Sequence, residues 1–488
     1  MNTRPLRWPR EAWVPLLTGL FWLWNAPEYG LLGFLLAVVP GCLTVGSGVM
    51  MLLTPGDLRI SQFAAAGGVL GVLIALPILV FGDFGNGLLL VLLSGASYLA
   101  GGYHTLQLEP QPAEVPLAGS GLRVAAEVGI DETILASWTV LLPIALGADV
   151  GRIAAEVKDA RALFADEGWI ERPAGYFETP PPLASPRLTA RSQGDLDFEH
   201  LSFPSGYEPR AAEPGRDRWL ERAVNRTAHA WVLRHRDGPR PTLVCIHGYQ
   251  MGSPRIDLAA FQVARLHHQL GLDVVLPVLP LHGPRQVGRI SGDGYPAGDM
   301  LDTVHAEAQA IWDMRRILAW LRAEGAPCIG LHGLSLGGYN AALLAAIDDE
   351  LACVVGGIPA VDFARLVFRH GPPLQVRQIE VEGLETADLD AVLWPVSPLA
   401  QACRVAPEGR ALYAGIADRI VPAEQVADLW RHWDRPSIEW YPGGHCSFGF
   451  HPQVRALLDA TLKERLLASA GRIDARKPPE AGPDPAKA

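Results

Sequence analysis

The stretch Pro327-Cys328-Ile329-Gly330-Leu331-His332-Gly333-Leu334-Ser335-Leu336-Gly337-Gly338-Tyr339-Asn340-Ala341-Ala342-Leu343 decides how this chain is read. Pro327–Leu331 is a short apolar run that predicts a buried strand, and Gly337–Ile347 predicts a helix. Between them lies Gly333-Leu334-Ser335-Leu336-Gly337, the only G-x-S-x-G in the sequence. The string alone is weak, and its place at a strand-to-helix turn is what gives it meaning. A serine on such a turn is strained so that its hydroxyl is exposed, and the flanking glycines avoid collision with the neighbouring strand and helix. The helix N-terminus also supplies positive potential where an oxyanion would form.

A serine hydroxyl is a poor nucleophile without a base, so an acid and a histidine are sought downstream. Asp418 follows the predicted strand Ala411–Ile416 in Gly415-Ile416-Ala417-Asp418-Arg419-Ile420-Val421-Pro422. His445 follows the predicted strand Ser437–Tyr441 in Gly443-Gly444-His445. Both come just past strand C-termini, where open α/β sheets place their sites. Each residue also has a plainer reading. Ser335 would mark a tight glycine turn, His445 would be a loop histidine, and Asp418 would cap the predicted helix Ala423–Trp433.

From Asp195 onward, short apolar runs alternate with amphipathic helices, the texture of a parallel-sheet α/β domain. Further strands are expected at Thr227–Arg234, Thr242–Ile246, Asp273–Leu279 and Ala352–Gly357. Further helices are expected at Leu258–Leu270, Val304–Glu324 and Pro452–Leu467.

With these motifs in hand, residues 195–470 resemble the α/β-hydrolase superfamily, through G-L-S-L-G, G-I-A-D-R-I-V-P, G-G-H and the early Ile246-His247-Gly248-Tyr249. The resemblance implies a doubly wound, mostly parallel sheet and a catalytic triad of Ser335, Asp418 and His445. It implies oxyanion-hole donors at the backbone N–H groups of Tyr249 and Leu336. His247-Gly248 is not followed by further glycines, which leaves Gln250 as an alternative to Tyr249. By the same resemblance His247 shapes its loop. His282 and His305 read as ordinary polar residues rather than metal ligands, and no cofactor or metal is implied.

The preceding residues are of another kind. Between Trp13 and Leu108 the only charged residues are Glu28, Asp57, Arg59 and Asp83, each in a break between apolar blocks. The blocks Trp13–Trp24, Tyr29–Leu53, Phe63–Phe81 and Leu88–Tyr103 lack the polar face of a soluble helix, and roughly 20 residues suffice to cross a bilayer. The expectation for residues 1–108 is a transmembrane region of about four helices. Pro40 and Pro77 should kink two of them. Gly67 and Gly71 form a G-x-x-x-G spacing, read as packing within the bundle rather than dimerisation. Arg4, Arg7, Arg10, Arg59 and Arg123 fall on one side if all four blocks cross, which by the positive-inside tendency is cytoplasmic. No small-residue cleavage site follows Trp24, so an uncleaved anchor is expected rather than a signal peptide.

Residues 109–194 read as a linker with helical segments: His104 to about Glu132 as linker, then apolar Thr133–Gly147 and helical Val150–Trp169. Thr133–Gly147 is either an interfacial helix or one docked on the hydrolase domain. A proline-rich loop follows, and residues 471–488 read as a disordered tail. The six cysteines form no C-x-x-C pair, so a zinc or redox motif is unsupported, and their scatter suits a reducing compartment. Asn225-Arg226-Thr227 matches a glycosylation acceptor by chance.

Composition agrees with this division. Of 488 residues 49% are hydrophobic and 19% charged, with a formal net charge of −11. That excludes a mainly disordered chain, and the acidic balance argues against nucleic acid as a partner. The expected partners are membrane lipids and an ester or acyl-lipid substrate, with the oligomeric state open. The expected protein is a membrane-anchored serine hydrolase of carboxylic esters with an acyl-enzyme intermediate. A peptidase or thioesterase would use the same triad, and a scaffold whose hydrolase fold no longer catalyses is the rival from another class. Leu393-Trp394-Pro395-Val396, in the segment where relatives insert a lid, is read as either an acyl-pocket wall or core.

Overall fold

The computed structural model describes residues 8–110, 112–141, 148–296 and 299–468. Arg4, Arg7, Ile144–Gly147 and the expected tail at 471–488 lie outside the described residues. The chain divides into two compact units. The described residues of Met1–Pro143, Tyr413–Asp428 and Glu439–Val454 form the first, and those of Ile144–Leu412, Leu429–Ile438 and Arg455–Ala488 form the second.

The first unit opens with α1 (Trp13–Asn25), α2 (Gly30–Leu53), α3 (Ile60–Phe81) and α4 (Phe84–Leu108). Three stretches, Arg10–Leu53, Ile60–Phe81 and Phe84–Leu108, are long and apolar enough to cross a membrane. The first of them folds back on itself at Gly30, whose φ is +66°. A side chain on Gly48 would meet Leu16 and one on Gly41 would meet Leu23, so α1 runs antiparallel to α2. Alone, the 13 residues of α1 reach only about 20 Å, less than the roughly 30 Å of hydrocarbon.

Small residues let these helices close up. Gly67 faces Leu43 and Thr44 of α2, and Gly71 faces Ser94 and Trp22; the G-x-x-x-G pair therefore packs inside the bundle. Trp22 Nε1 donates to Ser94 Oγ at 3.0 Å. Pro40 and Pro77 lie inside α2 and α3. The outer faces are apolar: Leu31, Leu32 and Phe81 are largely exposed.

The expected linker from His104 departs from the structure. α4 continues to Leu108, and α5 (Leu122–Leu141) is a helix of the first unit that includes the start of Thr133–Gly147. The helix is anchored on α4: Tyr98 Oη donates to the Ala126 carbonyl, and Thr105 Oγ1 donates to Glu132 at 3.0 Å.

The second unit begins with α6 (Ala148–Asp166). It continues through β1 (Arg187–Gln193), β2 (Leu196–Pro204), α7 (Arg216–Leu220), β3 (Thr227–Leu233), β4 (Thr242–Ile246), α8 (Pro254–Ala260), β5 (Asp273–Val278), α9 (Met300–Ala323), β6 (Ile329–Leu334), α10 (Leu336–Ile347) and β7 (Leu351–Gly357). Helices α11 (Phe363–His370), α12 (Pro373–Val381) and α13 (Thr386–Leu393) follow in the same unit, while β8 (Arg410–Gly415), α14 (Ala423–His432), β9 (Ser437–Tyr441) and α15 (Pro452–Thr461) are each divided between the two units. The nine-stranded sheet has the order β1-β2-β3-β5-β4-β6-β7-β8-β9. Strands β5, β4, β6 and β7 pair in parallel, while β1, β2 and β3 are antiparallel to their neighbours. This is the doubly wound sheet of an α/β-hydrolase fold. Strands β4, β5 and β6 are buried along their whole length, as strands covered on both faces must be.

Three boundaries depart from expectation. Arg187–Gln193 is a largely exposed edge strand, turned into β2 through Gly194 at φ +59°, and its exposure leaves no need for apolar alternation. The helix expected over Leu258–Leu270 ends at Ala260, since Gln262 has φ +50°. The segment between β7 and β8 holds three helices. There Tyr339 Oη of α10 donates to the Val396 carbonyl at 2.9 Å, so Pro395 and Val396 are core.

A buried cluster fixes α9 to the sheet. The guanidinium of Arg285, wholly buried, donates to Asp313 at 2.9 Å, to Asn225 Oδ1 at 3.0 Å and to the Val278 carbonyl at 3.2 Å. Asn225 is buried, which removes it as a glycosylation acceptor. Replacing Asp313 with Ala leaves a buried, unpaired cation, which costs about 3–5 kcal/mol. Denaturant unfolding of Asp313→Ala should show that loss; a cost below about 1 kcal/mol would contradict the pairing.

Candidate active site

In the second unit, β6 delivers Ser335 to the start of α10 with φ 55° and ψ −114°, a conformation L-residues adopt only under constraint. The constraint is visible. Ser335 N–H donates to the Gly357 carbonyl at 2.8 Å, and the Ser335 carbonyl accepts from Tyr339 N–H at 3.0 Å and Ala360 N–H at 3.3 Å. A side chain on Gly333 would overlap the Gly337 carbonyl, and one on Gly337 would overlap the carbonyls of Ile246 and His247. From Ile329 to Ala346, Ser335 is the one residue that is not buried. A twelve-residue helix begins beside it, so its free N–H groups and dipole favour negative charge near the hydroxyl.

The loop after β4 lies against this turn. Gly248 is close enough that a side chain on it would come within 3.2 Å of the Leu334 carbonyl oxygen and 3.4 Å of Ser335 Cβ. His247 holds the loop: its Nε2 accepts from Leu279 N–H at 3.0 Å, so Nδ1 carries the proton and donates to the Gly248 carbonyl at 2.9 Å. Burial lowers its pKa, which suits this neutral tautomer. Tyr249 and Leu336 directly follow Gly248 and Ser335, so both proposed donors flank that contact. Gln250 has φ 64°. Asp257, raised by burial, fixes the far end of the loop by accepting from Gly252 N–H at 2.9 Å.

His282 and His305 each hold a backbone carbonyl. His282 is buried and donates from Nδ1 to the Pro280 carbonyl at 2.9 Å. His305 donates from Nε2 to the Pro214 carbonyl at 2.9 Å, with its Nδ1 3.3 Å from Glu213. Among the described residues, His235, His267 and Asp273 bring potential metal-ligand atoms within 4.8 Å of one another. Asp273 is already occupied there, accepting from His235 N–H at 2.8 Å and facing His235 Nδ1 at 2.9 Å. No proposed catalytic residue belongs to that cluster.

The first unit carries the acid and the histidine, and brings them together. Asp418 Oδ2 accepts from His445 Nδ1 at 2.7 Å, both side chains being buried. Asp418 Oδ1 accepts from Ile420 N–H at 2.9 Å and Val421 N–H at 2.7 Å. One Asp418 oxygen therefore orders the turn before α14, short of the helix it was expected to cap, and the other holds the imidazole. With Nδ1 protonated toward Asp418, Nε2 is left as the basic nitrogen. Burial opposes charge on His445, but the charge and hydrogen bond of Asp418 and the charge of Asp131 outweigh it and raise the pKa.

Asp131 belongs to α5 and was invisible to the motif reading. Its Oδ2 accepts from His445 N–H at 2.7 Å and Arg419 N–H at 3.1 Å, and its Oδ1 from Cys446 N–H at 3.3 Å. On either side, Glu132 pairs with Arg419 Nε at 2.6 Å, Glu109 pairs with the same guanidinium, and Glu127 faces His451 Nε2 at 2.8 Å. The available signal was the spacing of Glu127, Asp131 and Glu132 among Val124, Ala125, Val128 and Leu135, which puts acids on the apolar face of a helix.

A side chain at Gly337 must displace two strand-end carbonyls. Gly337→Ala should therefore abolish labelling of Ser335 by active-site probes and lower Tm by several degrees. Unchanged labelling and Tm would refute the elbow geometry.

No family model matches the chain. Among curated proteins, "Uncharacterized protein MT2702" of Mycobacterium tuberculosis (strain CDC 1551 / Oshkosh) is 41% identical over 367 residues, covering 75% of this chain and 88% of that protein. "Uncharacterized protein Rv2627c" of Mycobacterium tuberculosis (strain ATCC 25618 / H37Rv) is 40% identical over 367 residues, with the same coverage of 75% and 88%. Among solved structures, an acetyl xylan esterase from Paenibacillus sp. R4 superposes with a TM-score of 0.43 at 17% identity, covering 68% of this chain and 99% of that one. Acetyl xylan esterase 1 from Thermoanaerobacterium sp. gives a TM-score of 0.42 at 15% identity, covering 60% and 93%.

Proposed function

This chain belongs to the family of the two Mycobacterium tuberculosis proteins, and we propose that it is a membrane-anchored serine hydrolase of carboxylic esters. The observation that carries the reading is the buried Asp418–His445 pair, 2.7 Å apart, in a chain whose one G-x-S-x-G serine stands unburied on a positive-φ turn. In this reading His445 Nε2 takes the Ser335 proton as the oxygen attacks the ester carbonyl. Asp418 keeps the other ring nitrogen protonated and stabilises the imidazolium. The N–H groups of Tyr249 and Leu336 receive the oxyanion. The imidazolium then protonates the leaving alcohol, and water, deprotonated by the same nitrogen, hydrolyses the acyl-enzyme.

Anchoring is proposed from the three long apolar stretches and the exposed leucines and phenylalanines along them. Soluble proteins rarely expose so much contiguous apolar surface. The substrate proposed is a lipidic or membrane-delivered ester. The side bearing Arg10, Arg59 and Arg123 is proposed to be cytoplasmic, with Asp83 on the other side.

Two experiments test this. A fluorophosphonate probe should label the purified full chain at Ser335, and Ser335→Ala should remove both labelling and p-nitrophenyl ester hydrolysis. Labelling that persists in Ser335→Ala would overturn the assignment. For topology, in a background with the exposed Cys42 and Cys446 replaced, an impermeant maleimide on intact cells should label Asp83→Cys and spare Arg59→Cys. The reverse pattern would refute the orientation.

A further inference from the structure

The acidic face of α5 is left unused by the proposed mechanism, yet touches it directly. We propose that Asp131, on the helix that follows the apolar bundle, is the positioning residue for the catalytic histidine, holding the two loops that carry Asp418 and His445 in register through their backbone N–H groups. The inference rests on the triad reading above and extends it to a residue outside every hydrolase motif in the chain.

Three observations converge. First, one carboxylate accepts from both loops: Oδ2 takes the N–H of His445 and that of Arg419, the residue after Asp418, while Oδ1 takes Cys446 N–H. A carboxylate shared between two loops fixes their separation, which no hydrogen bond within either loop can do. Second, the loop sequence is cut to fit it. A side chain on Gly444 would come within 2.6 Å of Asp131 Oδ2, and one on Gly443 would overlap Glu127. Gly444 itself has φ −88° and ψ −177°, an extended conformation any residue adopts, so its small size answers to Asp131 and not to the backbone. Third, Asp131 is wholly buried on a helix locked to α4 by Tyr98 and Thr105, so the clamp is rigid.

The electrostatics act in the same direction. Asp418 from the β8 loop and Asp131 from α5 face His445. Arg419, held by Glu132 and Glu109, faces Asp131 from the other side, and Tyr441, Cys446, Tyr98, Tyr413 and the Glu127–His451 pair also lie nearby. Burial and the Asp418 charge push Asp131 up to about 7, and in its ionised form it in turn raises His445. A base works only when neutral, so activity rises with pH through the His445 pKa. Taking away the Asp131 charge must move that rise to lower pH.

The test uses the full chain in detergent with p-nitrophenyl butyrate. Asp131→Asn keeps the volume, removes the charge and turns an N–H donor toward backbone donors. Expected are a fall in kcat of about 10- to 100-fold with KM little changed, and an acidic limb of the kcat/KM profile displaced to lower pH. Gly444→Ala, which leaves the charge in place and pushes the loop off the carboxylate, should lower kcat similarly. It should cost much less in an Asp131→Ala background, and it decides the matter should Asp131→Asn fail to fold. An Asp131→Asn enzyme with wild-type kcat and an unmoved acidic limb, or Gly444→Ala effects that simply add to those of Asp131→Ala, would overturn the inference. The triad reading fails separately, if Ser335→Ala keeps its activity in the same assay.

Discussion

The hydrogen bond between the buried carboxylate of Asp418 and the buried imidazole of His445 is the constraint on which the first unit depends. An ionised group removed from water is tolerated only when partners satisfy it. Here the satisfaction extends outward in layers. Asp418 takes His445 and two backbone N–H groups, Asp131 takes three more, and Arg419 is neutralised between Glu132 and Glu109. His451 and Arg123 meet Glu127 in the same way. Almost every charge that α5 buries is answered by a group on the loops after β8 and β9.

This arrangement explains why α5 is a helix of mixed character. Val124, Ala125 and Val128 cluster with Leu106 of α4 and Ala417 of the β8 loop, while the acids between them reach the loops. The same close approach governs the glycines. Gly102 leaves room for the Ala125 carbonyl, and Gly443 and Gly444 leave room for Glu127 and Asp131. Apolar packing on one side and charge pairing on the other thus bind a bundle helix, α5 and two loops of an α/β-hydrolase fold into one compact unit.

Much of this was legible in the sequence wherever the cause is local. The turn at Ser335 needs glycines at 333 and 337 because of neighbouring carbonyls, and that requirement is written in five consecutive residues. The core strands announced themselves as apolar runs, since burial on both faces leaves no other choice. Where the cause is distant, the sequence was silent or misleading. Gly443-Gly444 drew attention to His445, but what those glycines make room for, a carboxylate more than 300 residues away in the chain, is not written beside them. The acids of α5 read as linker charge because an acidic residue is normally solvated; only its partners make it a core residue. The edge strand β1 carries arginines and serine because most of it is exposed, so its pairing with β2 left no apolar trace. At Gln262 a left-handed residue breaks a helix whose apolar spacing runs on without interruption.

The proposed chemistry turns on the protonation of His445, and that can be observed directly. Nuclear magnetic resonance of the ring nitrogens in selectively labelled full-length protein, followed across pH, reads both tautomer and pKa. The structure calls for a protonated Nδ1 in a strong hydrogen bond, a free Nε2 at alkaline pH, and a midpoint above the ordinary histidine value of about 6.5. A His445 protonated on Nε2 at high pH, or titrating below that value, would contradict the buried pair as the seat of the proposed chemistry.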